Sequence, residues 1–489
     1  MQIQRTLHFQ DYQPGEAYDE MFQTAKDVRM NYAAYKEHLE SLSIVNIKKL
    51  QDATDQAQLL MGMTFLVHGD EMGIEKILKL DIIPRIIEGT EWATIENGLK
   101  QRIKALNLFI HDIYHDQKVV KDGVIDLQMI KSCPAYLPSC HGLEPPKGIW
   151  THISGVDIIR DSEGNFCVLE DNLRTPSGVS YMLENRKILK ATFPKFFDKI
   201  MIQPVSDYPK ILYQMLEYIS PVSDPTIVVL TPGIYNSAYY EHSYLAQEMG
   251  VELVEGRDLV VRGEYVYMRN TKGFQRVDVI YRRIDDTFLD PREFNPESML
   301  GVEGLFEVYK NGKVAIANAP GTGVGDDKAI CPYVPDLVKY YLGEEPILSN
   351  VKTYICSRKE DLEYVLDNIE NLVVKETNAA GGYGMMLGPK SDAEMHALFR
   401  EKVRKNPRNY VAQPMIQLST VPCLADEKFS PRHVDLRPFI IYGEDISVIP
   451  GGLTRVALKE GSLVVNSSQG GGTKDTWVCQ NNSNQSQSC

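Results

Sequence analysis

The stretch GVDIIRDSEGNFCVLEDNLRTPSG, residues 155–178, constrains the fold more than any other part of the chain. Two short apolar runs flank a polar turn, which predicts a β-hairpin. Side chains alternate along a strand. A turn centred on Glu163-Gly164, or any even-length loop around it, therefore sets Asp157 opposite Glu170, with Asn172 two residues further along the same face. A loop of odd length would carry Asp157 to the other face. Directly opposed residues have Cβ atoms about 4.5 to 5.5 Å apart, so the two carboxylates repel unless a cation separates them. Mg²⁺ suits such a place, because it takes hard oxygen donors and is commonly held by one or two carboxylates together with substrate phosphates. A solvated, charged hairpin end accounts for the same residues taken alone.

Three further constellations carry chemistry. In VVKETNAAGGYGMM, residues 373–386, a strand bearing Lys375 runs into a loop with Gly381, Gly382 and Gly384 before apolar residues resume. This pattern predicts a hairpin whose glycine-rich flap offers backbone N–H groups to phosphates. It is neither a Walker loop nor a dinucleotide fingerprint, since no GK[ST] follows and no GxGxxG opens a helix. An ordinary flexible turn fits it as well. Lys328 follows two aspartates in GVGDDKAI, and Arg437 and Arg455 stand inside apolar strand patterns, VDLRPFI and GGLTRVAL. Arginines so placed need anionic partners, either a carboxylate of the fold or a ligand phosphate. Cation ligands, a phosphate flap and several phosphate-directed cations together form an inventory for ATP chemistry.

Elsewhere the chain reads as mixed α/β. Apolar residues from Trp92 to Ile113 recur at helical spacing and predict a core helix over 91–114 with Thr90 as its N-cap. A second helical stretch is expected from Ser177 to about Lys199. PTIVVLTPG, VELVEGRDLVV and VDVIYRRIDD predict strands of a small parallel sheet. The expected divisions are an N-terminal region, 1–205, carrying the metal hairpin; an α/β unit, 222–322; a nucleotide-binding region, 323–478; and a disordered polar tail, 479–489. With 489 residues, 66 acidic against 52 basic side chains and a formal charge of −14, the chain has no basic run to attract nucleic acid or an anionic membrane. No apolar run approaches the ~20 residues that span a bilayer, and the N-terminus lacks a targeting pattern, so a cytoplasmic location is expected. Eight scattered cysteines form no zinc pattern and are expected to be reduced; Cys140-His141 is not expected to be a nucleophile and base. The oligomeric state is left open.

The residues resemble the ATP-grasp superfamily, in which a Lys-bearing strand precedes a glycine-rich loop and a later hairpin reads Asp, turn, Glu-x-Asn. The hairpin at 155–178 is similar to the metal hairpin of D-alanine:D-alanine ligases. Here, however, it precedes the α/β unit, Asp327-Lys328, the Lys375 strand with its glycine loop, and Arg437. The circular order is kept while the starting point moves. That arrangement resembles the circularly permuted ATP-grasp family, relatives of glutathionylspermidine synthetase, and VLEDNLRTPSGVSYMLENR and SSQGGGTKDTWV look like its type 2 branch.

The resemblance implies a circularly permuted ATP-grasp fold with an inserted parallel-sheet α/β domain. It also implies an ATP- and Mg²⁺-dependent ligase that joins a small-molecule or peptide carboxylate to an amine through an acyl phosphate. Asp157, Glu170 and Asn172 would hold the metal. Lys328 and Lys375 would contact phosphates under the flap at Gly381, Gly382 and Gly384, while Gln413 and Met415, in the segment 413–416, match the hinge against adenine. Arg437 or Arg455 would stabilise the transferred group. Ligases of the usual order often carry an arginine two residues before the metal Asp, where this chain has Gly155, so Arg160 shares that role among the candidates. Arg174, Ser177, Gly178 and Arg282 or Arg283 are the expected substrate contacts. A kinase would use the same nucleotide residues, and a non-catalytic ATP-binding protein would need none of the metal ligands.

Overall fold

In the computed structural model, residues 9–66, 75–197, 200–379, 384–425, 428–459, 461–462, 465 and 471–480 are described. A ten-stranded sheet forms the centre. Its main path runs from Ser349–Asn350 through Phe166–Asn172, Ile153–Arg160, Lys428–Arg437, Leu453–Val456 and Gly472–Val478 to Leu80–Ile87. The first of the two predicted hairpin strands thus lies beside a strand nearly 300 residues later. Its central strands are antiparallel, and Leu80–Ile87 joins parallel to the strand Gly472–Val478.

The apolar stripe of the first predicted helix is buried in the large core from Trp92 to Tyr114. That helix spans Gly89–Tyr114 and is preceded by Glu88, whose side chain does not cap it, so Thr90 lies inside the first turn instead of at the N-cap. The second expected helix is shorter than its pattern. It spans Val179–Thr192 and a separate turn begins at Pro194, because proline lacks the N–H that would continue the helical ladder.

The inserted α/β unit is present as expected. Ala315–Ala317, Val279–Arg282, Ile227–Thr231 and Glu252–Glu255 form a four-stranded, all-parallel sheet. The helix Tyr239–Met249 makes the crossover between two of these strands. The run VELVEGRDLVV is two strands, Glu252–Glu255 and Leu259–Arg262, which belong to different sheets and are separated by a 3₁₀ turn at Gly256–Asp258. Another four-stranded sheet comprises Tyr354–Ile355, Tyr410–Pro414, Leu372–Glu376 and Met385–Leu387. Its last two strands are the Lys375 hairpin, with Lys375 opposite Met385.

Cys479 and Gln480, the first two residues of the expected tail, are bonded to the fold. Cys479 bridges Ile202 and its N–H donates to the Ile87 carbonyl, and Gln480 N–H donates to Met201. Residues 481–489 lie outside the described residues. Six described cysteines are free thiols, 133, 140, 167, 331, 356 and 423, whereas Cys479 is disulfide-bonded, against the expectation that all eight are reduced. Among the described residues no helix is long and apolar enough to cross a membrane.

Candidate active site

The ten-stranded sheet and the Lys375 sheet face each other across a cavity of about 500 Å³. The hairpin supplies one wall. Its loop, 161–165, has five residues, an odd number that by alternation alone would misplace Asp157. A bulge restores the pairing. Ile158 pairs with Val168 but Asp157 pairs with Glu170, leaving Leu169 as the extra residue. Asp157, Leu169, Glu170 and Asn172 consequently all line the cavity. Asp171 points the other way, into a bidentate pair with Arg102 at 2.6 Å for both contacts.

Asp157 is 1% exposed and held by two arginines. Arg437 grips it with Nε at 2.5 Å and a terminal nitrogen at 2.8 Å, and Arg455 adds a contact at 2.7 Å. Burial alone would raise its pKa, but the two guanidinium charges prevail and hold the carboxyl well below the usual range. Arg455 also pairs with Asp435 at 2.5 Å. Burial, with Asp157 nearby, pushes the Asp435 carboxyl upward. Asp435 is a cavity residue that was not anticipated. The signal was present in VDLRPFI, since Asp435 and Arg437 are two residues apart on one strand and so share a face.

The opposite wall carries the lysines. Lys375 Nζ donates to Gln413 Oε1 at 2.7 Å, and Lys328 Nζ donates to the Ala379 carbonyl at 2.7 Å and lies 3.3 Å from Glu170. Burial, reinforced by Lys328, lowers the Lys375 pKa below that of an ordinary lysine. Gln413, Pro414, Met415, Ile416, Val373 and Leu387 give this end an apolar slot. Gly384 closes the hairpin at φ +66°, where a Cβ would stand 2.7 Å from the Glu376 carboxyl carbon. Gly381 and Gly382 lie outside the described residues.

At the far end are Arg174, Ser177 and Gly178. Arg174 donates to Asp326 at 2.6 Å and to Asp285 at 2.9 Å. Burial raises the Asp326 carboxyl to about 6, against the pull of Arg174. The loop is fastened from the inserted unit: Glu241 accepts from the N–H groups of Gly178 at 2.7 Å and Ser180 at 3.0 Å.

Three anticipated residues are elsewhere. Arg160 is on the hairpin face opposite Asp157, paired with Glu20 at 2.9 Å and with Glu91, and packed over Tyr18 and Phe166. Arg282 is fully buried, donating to the carbonyls of Asn318, Ile284 and Ala319 and pairing with Asp286. Arg283 donates to the Pro176 carbonyl at 2.8 Å and pairs with Glu241 at 3.0 Å. It braces the loop behind the cavity without lining it. Sequence alone did not show these partners because Glu20, Glu91 and Glu241 are 42 to 140 residues away from the arginines they meet.

The hairpin precedes the lysine strands in the chain, yet both line one cavity, as a permuted order requires. The family model for circularly permuted ATP-grasp type 2 matches residues 84–457. The chain belongs to this family. An uncharacterised protein of Synechocystis is 55% identical over 97% of this chain and 99% of its own length. An uncharacterised Mycobacterium tuberculosis protein is 48% identical over 94% of this chain and 84% of its own. A Frankia alni protein named "Putative glutamate--cysteine ligase 2-3" is 39% identical over 96% of this chain, which spans only 54% of that protein. Among solved structures, a glutathione synthetase-like effector of Globodera pallida superposes with a TM-score of 0.57, covering 89% of this ATP-grasp chain and 97% of the effector. At 11% identity the effector bears on the fold alone.

The hairpin's donors fit a hard divalent cation. Glu170 and Asn172 both line the cavity and offer it carboxylate and amide oxygens, the hard donors that such an ion takes. The three guanidinium contacts of Asp157 use three of its roughly four lone-pair positions.

Proposed function

We propose that this protein is an ATP-dependent carboxylate–amine ligase working through an acyl phosphate. The observation that carries the reading is the convergence of Lys328, Lys375, Glu170, Arg437 and Arg455 in one cavity that continues to Arg174 and Ser177. Membership of the ATP-grasp family supports ATP use, and the name of the Frankia relative agrees with ligase chemistry in general.

Adenine enters the apolar slot at Gln413–Ile416, and Lys375 and Lys328 bind the phosphate chain. Glu170 and Asn172, joined by the lone pair that Asp157 keeps free, would hold Mg²⁺. When bound, that ion clamps the phosphates and offsets their charge. A substrate carboxylate attacks the γ-phosphorus as the bond to ADP breaks. Arg437 and Arg455, fixed by Asp157 and Asp435, meet the charge on the transferring group without reorganising. An amine then attacks the acyl carbon, phosphate leaves and an amide remains. The loop from Arg174 to Gly178 orients the acid and the amine, with Arg283 and Glu241 positioning it from behind.

The test is incubation with Mg²⁺, ATP, a metabolite extract and hydroxylamine, followed by mass spectrometry. An ATP-dependent hydroxamate that is lost in Glu170→Ala supports carboxylate activation and names the acid. A stable phosphorylated product without hydroxamate replaces the ligase by a kinase. ATP binding with no turnover in any mixture leaves a binding protein.

A further inference from the structure

Away from the nucleotide cavity, one cluster of side chains has the chemistry of a ligand site. His111 lies in the last turn of the helix Gly89–Tyr114, and His115 caps its C-terminus. A spacing of four residues places both on one helical face. Their rings stack with centroids 4.0 Å apart and planes 18° apart. Glu144, from the segment before Trp150, brings Oε1 to 3.2 Å from His115 Nε2. One ligand atom from each of the three side chains lies within 4.8 Å of the other two, and none of the three lines the nucleotide cavity.

Hydrogen bonding constrains what belongs between them. His115 Nδ1 is 2.8 Å from the His111 carbonyl, which can only accept, so the proton sits on Nδ1. Nε2 of the neutral ring then presents a lone pair. That atom is shielded from solvent and makes no hydrogen bond among the described residues. A lone pair and a carboxylate oxygen repel at this separation unless a positive charge lies between them. A proton would serve His115 and Glu144 alone, whereas a metal ion would use all three side chains. A metal-bound histidine ordinarily has its other ring nitrogen tied to a carbonyl or carboxylate, which is the arrangement of His115. The indole Nε1 of Trp150, a donor only, lies 3.4 Å from His111 Nδ1, a long contact that coordination of His111 would disturb.

We propose that His111, His115 and Glu144 form a site for a zinc-class divalent metal, which staples the end of the long helix to the segment carrying Glu144. Two imidazoles and one carboxylate suit Zn²⁺ or Co²⁺ and not Mg²⁺, which prefers oxygen alone. A fourth position is left for water.

The experiment uses full-length, tag-free protein stripped with EDTA and titrated with ZnCl₂ by calorimetry and with CoCl₂ by visible absorption, in excess Mg²⁺. The expected result is saturable binding of one equivalent, with a change in tryptophan emission that is lost in His111→Ala. Affinity should fall at least ~10-fold in His115→Ala and in Glu144→Gln. Glu144 has an exposed side chain, so its variant keeps the fold and guards against a trivial loss. Absence of saturable Zn²⁺ and Co²⁺ binding overturns the proposal and leaves a His115–Glu144 ion pair. So does binding that none of the three substitutions weakens, or that Mg²⁺ displaces.

Discussion

Asp157 and Arg160 are three residues apart on one strand and face opposite ways, so their environments assign them different work. Asp157 aligns Arg437 and Arg455 in the cavity, whereas Arg160 is locked to Glu20 and Glu91 behind it. Arg437→Ala should therefore lower ATP turnover at least ~100-fold, the scale of losing a charge aimed at the transferring group. Arg160→Ala should lower folding stability by about 1 to 3 kcal/mol, since it removes one of the two guanidinium partners of buried Glu20, which keeps Arg85, yet leave ATP affinity at its wild-type value when assayed below the melting transition. Denaturant melts and turnover measured on both variants check the contrast. Lys375 gives a pH prediction. Because burial depresses its pKa, raising the pH neutralises it sooner than an ordinary lysine, and phosphates bind only the charged form well. ATP affinity should thus fall as pH rises through this pKa, with proton uptake on binding. Calorimetry in two alkaline buffers of different ionisation enthalpy measures that uptake, which Lys375→Met should abolish.

At the level of elements, the hairpin Ile153–Asn172 shows what was legible in the chain and what was not. Alternation of polar and apolar residues located both strands, but it opposed Asp157 to Glu170 only for a loop of even length. The five-residue loop would have spoiled that opposition, and the bulge at Leu169 that rescues it has no local signal in an apolar run. The ATP-grasp order, the parallel unit and the Lys375 hairpin were likewise readable, because each rests on local pattern or chain order. Thr90 was misread because a capping residue type says nothing of where the preceding strand ends. Arg282 and Arg283 were misplaced because charge in an apolar run demands a partner without naming it. The substrate-end loop makes a prediction of its own. Gly178 sits at φ +116°, with a Cβ direction 2.8 Å from Leu453 Cδ2, where the loop turns into the helix Val179–Thr192. Gly178→Ala should shift the loop and reduce hydroxamate formation about 10-fold or more, while ATP affinity stays unchanged. An equal loss in ATP affinity would place Gly178 at the nucleotide instead.

For the whole molecule, permutation splits the cavity between sheets assembled from distant parts of the chain. The hairpin enters at residue 153 and its neighbouring arginine strand ends at 437, while the lysine hairpin belongs to a separate four-stranded sheet. The side chains of the two walls that meet directly include Lys328 and Glu170, at 3.3 Å. A nucleotide touching Lys375 on one sheet and Arg437 on the other adds contacts between them that the protein alone lacks. Ligand binding to the folded state stabilises it by mass action, about 2.7 kcal/mol at a hundred times the dissociation constant. Thermal melts should rise with ATP and Mg²⁺, and rise less with ATP and EDTA, because the phosphates then lose the ion proposed to tie them to Glu170. The Mg²⁺-dependent part of that rise should vanish in Glu170→Ala while the ATP-only part persists. Hydrogen exchange gives the location, with slowed exchange expected in Leu372–Glu376 and Tyr410–Pro414 as well as in the hairpin strands Ile153–Arg160 and Phe166–Asn172. Protection confined to one sheet would mean that the nucleotide does not bridge the cavity, and the assignment of Arg437 and Arg455 to the transferring phosphate would fail with it.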